Sequence, residues 1–284
     1  MQDGLERVLD ELVQLAPGQY DRADLGTDAI VVEDLGKTYP DGTEAVRGVT
    51  FRVAAGECYG LLGPNGAGKS TTVGMLGTLV RPTSGRASVA GFDVVAEARE
   101  VRRRIGFAMQ EVGVDAFATA RELLVLQGRL HRLRRADSAH RAELLLAMVD
   151  LSEVADKRLG EFSGGMQRRV DLAASLMHLP AVVFLDEPSE GLDPRARAAI
   201  WEALDRLRLH LGVTVLLTTH YMDEADRLCD RLGIVDRGSI VAEGTPAELK
   251  ASVGGDTLEH VYLHYTGHTF APSDGAPVAL ETAA

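Results

Sequence analysis

The pattern of apolar and polar positions predicts an α/β fold that begins with an antiparallel β layer. Apolar residues dominate 30–35 and alternate with polar residues through 45–53, on either side of a Pro-Asp-Gly turn. Continuous apolar runs come later, at 181–186 and 213–219. Such runs are typical of strands buried in a parallel sheet, where ligands gather at the carboxyl ends of the strands. The other predicted elements are strands at 84–90 and 105–109, a hairpin at 232–241, and helices at 95–104, 194–211 and from Pro246.

Between residues 119 and 161 the pattern changes from strand-like to helical. Apolar residues recur there at the three- and four-residue spacing of a helix face. The two sets are Leu123, Leu124, Leu126 and Leu130, and then Leu144, Leu145, Met148 and Val149. Because no strand candidate interrupts them, we predict an inserted helical subdomain at about residues 112–178.

The first 28 residues predict a short acidic amphipathic helix and a linker. Apolar residues at helical spacing follow a capping-box pattern at residues 3–6, and they are Leu5, Val8, Leu9, Leu12 and Val13. The polar face of this helix is acidic, which argues against adsorption to an anionic membrane surface. Two interpretations stay open: the helix packs on its own domain or on a subunit, or it makes a regulatory contact. Residues 17–28 have the composition of a linker.

Composition limits the class of protein further. A chain of 284 residues, 45% hydrophobic and 25% charged, has room for one large α/β domain or two small ones. It has no apolar run of the roughly 18 to 20 residues that a membrane span needs, and its N-terminus lacks the order of a signal peptide. We therefore expect a soluble, cytosolic protein. Cys58 and Cys229 are expected to be buried thiols and not disulfide or metal partners.

The net charge of −12 is concentrated at the two ends of the chain. Residues 1–28 and 254–284 together carry nine of these negative charges. The stretch between them therefore has no strong field for or against an anionic partner. The basic run Arg102, Arg103 and Arg104 lies at the end of a predicted helix, where it suits the helix dipole, so no nucleic-acid partner is expected.

A glycine-rich turn carries the strongest chemical signal. Residues 57–72 have the pattern of an apolar strand, a turn and a helix start, and they contain the sequence G-x-x-x-x-G-K-[ST] at Gly63, Gly68, Lys69 and Ser70. Small residues let consecutive backbone N–H groups point at phosphate oxygens, and the helix start adds its positive end. Lys69 is one of only four lysines beside 26 arginines, so its presence is not background usage. It would contact the β- and γ-phosphates, and the Ser70 hydroxyl would bind Mg²⁺.

Further groups suited to phosphate chemistry follow along the chain. Ser163 starts a predicted helix with two glycines behind it, which makes a second phosphate-binding helix start. The apolar run 181–186 ends in the acidic pair Asp186 and Glu187, suited to a metal ligand and a base. The run 213–219 delivers His220 to the same sheet edge. Tyr39 offers either a surface aromatic or a flat face on which a purine ring stacks.

In this order the motifs resemble those of the nucleotide-binding subunit of an ABC transporter, over about residues 30–253. The resemblance implies an α/β fold with a P-loop NTPase core and a mostly parallel sheet, the N-terminal antiparallel β layer and the inserted helical subdomain. It implies three catalytic residues: Glu187 as general base, His220 as switch histidine, and Gln110 as the Q-loop glutamine that senses Mg²⁺ and the attacking water. Ser70, Gln110 and Asp186, which ends the Walker B strand, would be the Mg²⁺ ligands.

The same resemblance implies which residues hold ATP. Tyr39 would stack on the adenine, and Asp193 is the aspartate of the D-loop. The Walker A residues are Gly63, Asn65, Gly66, Gly68, Lys69, Ser70 and Thr71. The signature residues are Ser163, Gly164 and Gly165.

The signature stretch departs from the family pattern at two positions. The family sequence LSGGQ stands here as Phe162, Ser163, Gly164, Gly165 and Met166. The hydroxyl and glycine N–H groups that would touch the γ-phosphate are kept, whereas Met166 cannot donate a hydrogen bond as an amide does. This methionine, with Arg168 and Arg169 behind it, resembles the daunorubicin-resistance-type exporter ATPases. Residues 257–267 resemble the C-terminal motif of that subfamily.

The resemblance also implies partners and location. In the family two such domains pair head to tail and sandwich two ATP molecules, so a single copy of each motif implies a homodimer. The lack of a membrane span implies a separate transmembrane permease subunit, with this chain peripheral on the cytoplasmic face of the membrane. The predicted organisation is an N-terminal helix and linker at 1–28, an ATPase domain at 29–253 and a C-terminal tail at 254–284.

The predicted role is export of a hydrophobic drug-like or lipid-like compound. Residues 111–121, which follow Gln110, are the predicted surface for the permease. Two alternatives stay open: a soluble ABC ATPase in a non-transport role, and an importer ATPase subunit. The first class usually carries tandem domains or a long coiled-coil insertion, and the second usually has a regulatory domain larger than the 31 residues after Val253.

Overall fold

The computed structural model describes residues 11–12, 27–108 and 115–267. The strands are β1 Asp28–Thr38, β2 Glu44–Ala54, β3 Cys58–Leu62, β4 Ser84–Val89, β5 Phe92–Asp93, β6 Ile105–Ala108, β7 Val182–Asp186, β8 Thr214–Thr219, β9 Arg231–Asp236 and β10 Ser239–Gly244. The α-helices are α1 Lys69–Leu76, α2 Ala98–Arg104, α3 Ala120–Leu130, α4 Arg135–Met148, α5 Gly164–Ser175, α6 Pro194–Leu211, α7 Met222–Leu228, α8 Pro246–Ser252 and α9 Leu258–Thr266.

Packing divides the chain into two compact units. The first, which we call the helical unit, is Met1–Arg22 with Arg103–Val213; the second, which we call the loop unit, is Ala23–Arg102 with Thr214–Ala284. Antiparallel strands follow the N-terminal segment, and parallel strands with helices follow these. This mixed architecture confirms the predicted fold class.

An antiparallel sheet forms the N-terminal part of the loop unit. Strand β1 pairs with β2 on one side and with β4 on the other, and β5 extends the sheet from β4. In β2 the residues alternate between buried and more exposed, as expected for a sheet with one face on the core. Both β1 and β2 are longer than the predicted strands at 30–35 and 45–53.

The second sheet of the loop unit contains the buried strands. Strand β3 pairs in parallel with β8 and with β9, and β9 pairs antiparallel with β10. Every residue of β3 and of β8 is buried, which is the reason that neither sequence alternates between apolar and charged residues. The pairing sets Leu62 opposite Thr219, so the two chains leave the sheet at the same edge.

The helical unit joins a parallel strand pair to a set of helices. Strands β6 and β7 pair in register from Ile105 opposite Val182 to Ala108 opposite Leu185. Helix α3 begins at a capping box, in which the Thr119 side chain and the Glu122 side chain each accept from the other residue's backbone N–H. Both residues satisfy N–H groups that a helix start leaves without partners.

The predicted apolar sets of this unit are only partly buried. Leu144, Leu145 and Met148 lie in the core, as does Leu124. Leu126 and Leu130 are 54% and 67% exposed, so one face of α3 presents leucines to solvent. Periodicity identified the helix but not the side on which it packs.

Helix α2 begins later than the pattern predicted. Residues 95–104 were expected to be helical, yet the helix is Ala98–Arg104. The Asp93 carboxylate accepts from the backbone N–H groups of Val95 and Ala96, at 2.8 Å each. This side chain holds the preceding residues in a turn and so delays the helix.

Two described residues report on the N-terminal segment. Leu12 is fully buried, and Glu11 Oε1 lies 2.9 Å from Nε2 of His140 on α4. Both residues belong to the helical unit. The rest of the predicted N-terminal helix and linker lies outside the described residues, including Leu5, Val8, Leu9 and Val13.

Part of the C-terminal tail forms a helix that the sequence pattern did not predict. Helix α9 begins at Thr257, whose side chain accepts from the His260 N–H, and it buries Leu258, Val261 and Tyr262. These spacings of three and four residues are those of a helix face. Among the described residues, no helix is long and apolar enough to cross a membrane. The two cysteines are buried and free, as expected.

A stacked histidine pair lies within the helical unit. The rings of His131 and His178 are nearly parallel, with centroids 3.8 Å apart. His178 is buried, and its Nε2–H donates to the Ile105 carbonyl oxygen at 2.9 Å. Burial, with His131 also contributing, lowers the pKa of His178 to about 3. Burial also lowers the pKa of His131.

Replacing His178 by Gln should weaken the pH dependence of stability. The folded protein keeps His178 neutral, whereas the unfolded chain protonates it below about pH 6.5, so His178 reduces the free energy of unfolding as the pH falls from 6.5 towards 3. Between pH 7.5 and 5.0 the wild type should lose up to about 2 kcal/mol more than His178→Gln, as measured by urea denaturation. The exposed His264→Gln serves as control. An equal loss in wild type and His178→Gln would contradict this assignment.

Candidate active site

The glycine-rich loop connects β3 to α1 in the loop unit. The Gly63 N–H donates to the Thr219 carbonyl at 3.2 Å, which ties the start of the loop to the end of β8. At Gly63 a Cβ would lie 2.2 Å from the Val235 carbonyl oxygen, so no larger residue fits there. At Gly68 the backbone is left-handed, with φ 102°. The predicted glycines therefore stand where backbone packing and chirality require them.

Lys69 is buried at the first position of α1. Its ammonium group donates to the Gly63 carbonyl at 2.8 Å and to the Pro64 carbonyl at 3.1 Å. The cation is thus held inside the curve of the loop by the backbone of the loop itself. Ser70 and Thr71 follow on the first turn of α1, and both are half-buried.

Tyr39 and His220 flank the loop within the same unit. The Tyr39 hydroxyl lies 3.4 Å from the Thr71 hydroxyl, and the Lys37 ammonium lies 5.1 Å from the centroid of the Tyr39 ring. His220 directly follows the end of β8, next to the strand that leads into the loop. Its ring contacts the Tyr221 ring, with centroids 4.1 Å apart. The structure therefore brings Tyr39, the loop and His220 together at one end of the loop unit.

The acidic pair lies at the carboxyl end of β7 in the helical unit. Asp186 is the last residue of β7 and Glu187 follows it, and both are buried. Glu187 has a left-handed backbone with φ 50°, which is uncommon for a residue other than glycine. Three backbone carbonyls of this turn accept hydrogen bonds from Arg168, a contact that sequence reasoning missed.

The signature residues start α5 in the same unit. The Ser163 hydroxyl accepts from the Met166 N–H at 3.3 Å, as predicted for an N-cap. A Cβ at Gly165 would lie 2.7 Å from the Ala196 Cβ, so close packing on α6 requires the glycine. Asp193 caps α6, and its carboxylate accepts from the Ala196 N–H at 2.9 Å.

Gln110 lies outside the described residues, and so does the segment 111–114 of the predicted permease surface. The described part of that surface includes Phe117, whose side chain is 79% exposed. No group of three or more potential metal-binding side chains occurs in the described ranges.

The fold and these motifs define an ATP-binding cassette, and comparisons with known proteins agree. A model of the ABC transporter family matches residues 46–190. The chain is 49% identical to the daunorubicin resistance ATP-binding protein DrrA3 of Streptomyces coeruleorubidus, over 89% of this chain and 77% of that protein. It is 47% identical to the doxorubicin resistance ATP-binding protein DrrA of Mycobacterium tuberculosis (82% and 70%), and 41% identical to the linearmycin resistance ATP-binding protein LnrL of Bacillus subtilis (80% and 72%).

Solved structures give the same result. The ATP-binding subunit of an ABC transporter matches with a TM-score of 0.74 and 30% identity, over 84% of this chain and 99% of that one. A dimeric ATP-binding cassette bound to ADP and Pi matches with a TM-score of 0.69 and 27% identity, over 76% and 98%. This chain belongs to the ABC transporter ATP-binding family, and it is an ATP-binding, ATP-hydrolysing protein.

Two glycines of the loop allow a direct test of its packing. Gly66 and Gly68 both have positive φ, but a Cβ at Gly66 meets no atom within 4 Å, whereas one at Gly68 lies 2.3 Å from the Ala45 carbonyl oxygen. Gly66→Ala should cost about 1 to 2 kcal/mol for the left-handed backbone alone. Gly68→Ala should cost more, because a backbone carbonyl must also move. Urea denaturation of the two variants without nucleotide measures the difference, and equal losses would contradict the described loop.

Proposed function

We propose that this chain binds Mg·ATP through the predicted site residues and powers export of a hydrophobic drug-like compound through a separate transmembrane permease. One observation favours export over import: the chain aligns with drug-resistance ATP-binding proteins along most of their length. Export is a common route to resistance against such compounds. The chemistry of the loop, the acidic pair and His220 supports hydrolysis as the source of energy.

ATP binding would begin at the buried lysine. The Lys69 ammonium donates to the carbonyls of Gly63 and Pro64. The β- and γ-phosphates would offer charged acceptors instead, and charge-assisted hydrogen bonds are stronger than those to neutral carbonyls. The N–H groups at the start of α1 and the positive end of this helix add to the attraction. Tyr39 would stack its ring face on the adenine.

The residues present also fit a magnesium ion. By the chemistry of their side chains, the Ser70 hydroxyl and the Asp186 carboxylate would each offer an oxygen ligand, which Mg²⁺ prefers, and the Gln110 amide would add another. Such an ion would neutralise charge on the phosphates during transfer. Glu187 would hold the attacking water and accept its proton, and His220 would contact the γ-phosphate.

The signature loop would act on the ATP that a second copy holds. The exposed Ser163 places a hydroxyl at the start of α5 and the exposed Gly164 follows it, where the positive end of the helix would attract an anion. We propose a head-to-tail homodimer with two sandwiched ATP molecules, on the cytoplasmic face of the membrane. Closing the sandwich would exclude water and set positive dipoles where charge develops.

The permease would contact the segment around Phe117. This ring is 79% exposed, and the backbone N–H of Phe117 donates to the Asp115 carboxylate in the turn that leads to α3. Aromatic side chains are enriched in protein–protein interfaces, so this ring is suited to a protein contact. The same segment follows Gln110, so a change at the γ-phosphate can reach it.

Phe117→Ser should uncouple hydrolysis from export. The variant should keep wild-type ATPase activity because no predicted nucleotide ligand is altered. Cells that express it with the membrane protein that co-purifies with the chain should accumulate daunorubicin as strongly as cells with Glu187→Gln, which should lack both hydrolysis and export. Accumulation is measured by the fluorescence of the drug.

The matched control is Leu130→Ser, which changes another exposed apolar residue (67% exposed) at the C-terminal end of α3. It should export normally. Low accumulation with Phe117→Ser would refute the proposed contact. Equal accumulation with wild type and Glu187→Gln would refute export of this compound.

A further inference from the structure

The turn that carries the general base has an unusual backbone. Glu187 lies directly after the end of β7, with φ 50°. Such a conformation is strained for a residue with a Cβ, and it persists only where surrounding contacts hold it. The contacts that hold this turn therefore decide where the Glu187 carboxylate stands.

Arg168 supplies three of those contacts. Its Nη2 donates to the Asp186 carbonyl at 2.7 Å and to the Glu187 carbonyl at 3.0 Å. Its Nε donates to the Pro188 carbonyl at 3.1 Å. The side chain is buried, and the carboxylate of Asp171 lies 4.0 Å from Nη1. A planar guanidinium with several fixed donors can bind three consecutive carbonyls at once.

Arg168 also belongs to the signature helix. It lies on α5, whose N-cap is Ser163, about one and a half turns further along. The start of α5 is packed closely on α6 at Gly165. A helical segment of one and a half turns moves as a rigid body. A displacement of Ser163 therefore also displaces Arg168.

We propose that Arg168 is a positioning residue for hydrolysis, which holds the Asp186–Pro188 backbone so that the Glu187 carboxylate keeps its place. This inference rests on the proposed role of Glu187 as general base. Through Arg168, the contact of the signature residues with one ATP bears on the base that serves the other. The assignment needs no change in the fold, because the bonds are already formed in this structure.

The neighbouring arginine provides a matched control. Arg169 is half-buried, and its Nη1 donates to the Val149 carbonyl at 2.7 Å, at the end of α4. It therefore makes the same type of bond from the same helix, to a part of the unit that holds no proposed site residue. Arg169→Ala therefore measures the effect on kcat of removing a hydrogen-bonded guanidinium from this helix, whatever its partners.

Arg168→Ala should lower kcat on the order of a hundredfold, the loss expected when a catalytic group is misplaced by about 1 Å. The KM and the Kd for ATP should change less than about twofold, since the nucleotide-binding groups are untouched. Guanidinium chloride at low millimolar concentration should restore part of kcat in Arg168→Ala, and none in Arg169→Ala. Arg168→Lys should fall between wild type and Arg168→Ala, because an ammonium group cannot reach three carbonyls in the same fork.

Several outcomes would overturn the proposal. They are a wild-type kcat in Arg168→Ala, an equal loss of kcat in Arg169→Ala, or a loss in which KM rises as much as kcat falls. If Arg168→Ala does not fold, as judged by urea denaturation, Arg168→Lys carries the same test through kcat and KM. Glu187→Gln, measured in parallel, separates the two claims. Retained hydrolysis in Glu187→Gln refutes the role of the base, whereas its loss beside a normal Arg168→Ala refutes only the positioning role.

Discussion

The in-register parallel pairing of β3 with β8 is the constraint on which the loop unit depends. It sets Leu62 opposite Thr219, so the next residues, Gly63 and His220, leave the sheet side by side. The bond from the Gly63 N–H to the Thr219 carbonyl continues this pairing into the loop. A slip by one residue would turn every side chain of β3 to the other face of the sheet. The loop and His220 therefore lie next to each other because the two buried strands that precede them pair in register.

Buried charge is the second constraint. Lys69, Arg168, Asp186 and Glu187 are all buried, and a buried ion is costly unless other groups bind it. The burial of Lys69 and of Arg168 is offset in the same way. Each side chain donates to backbone carbonyls of a turn that carries candidate site residues. The carbonyls gain partners and the turns gain rigidity. The charges needed for phosphate chemistry thus also stabilise the local backbone.

Apolar runs and glycine spacing were sufficient to predict much of the fold and the place of the glycine-rich loop, whereas the roles of Gln110 and Asp193 came only from the resemblance to a family. Strands β7 and β8 were predicted within one residue, because fully buried strands leave continuous apolar sequence. The exposure of Leu126 and Leu130 could not be predicted, since periodicity does not say which side of a helix is covered. The delayed start of α2 depends on one carboxylate, that of Asp93, whose bonds to the backbone no apolar pattern records.

Arg168 could not be predicted as a buried residue. Arginine is mostly exposed in proteins, and the neighbouring Arg169 gives the same sequence signal with different partners. The one signal of a special role for Arg168 was its position directly after the signature residues. That position was interpreted as a feature of the subfamily. Helix α9 was missed although Leu258, Val261 and Tyr262 have helical spacing. Residues 254–284 were interpreted as an acidic C-terminal tail, and that interpretation hid the helical pattern.

The central claim is that the signature residues of one copy act on the ATP held by the loop of another. It is tested most directly by mixing two proteins, one with Asn65→Cys and one with Ser163→Cys, and adding a short thiol crosslinker. The native cysteines are buried and serve as unreactive background. With ATP and Mg²⁺ the account predicts a crosslinked heterodimer that does not form without nucleotide. Failure to crosslink the mixed proteins in ATP, beside efficient crosslinking within a single chain that carries both cysteines, would contradict it.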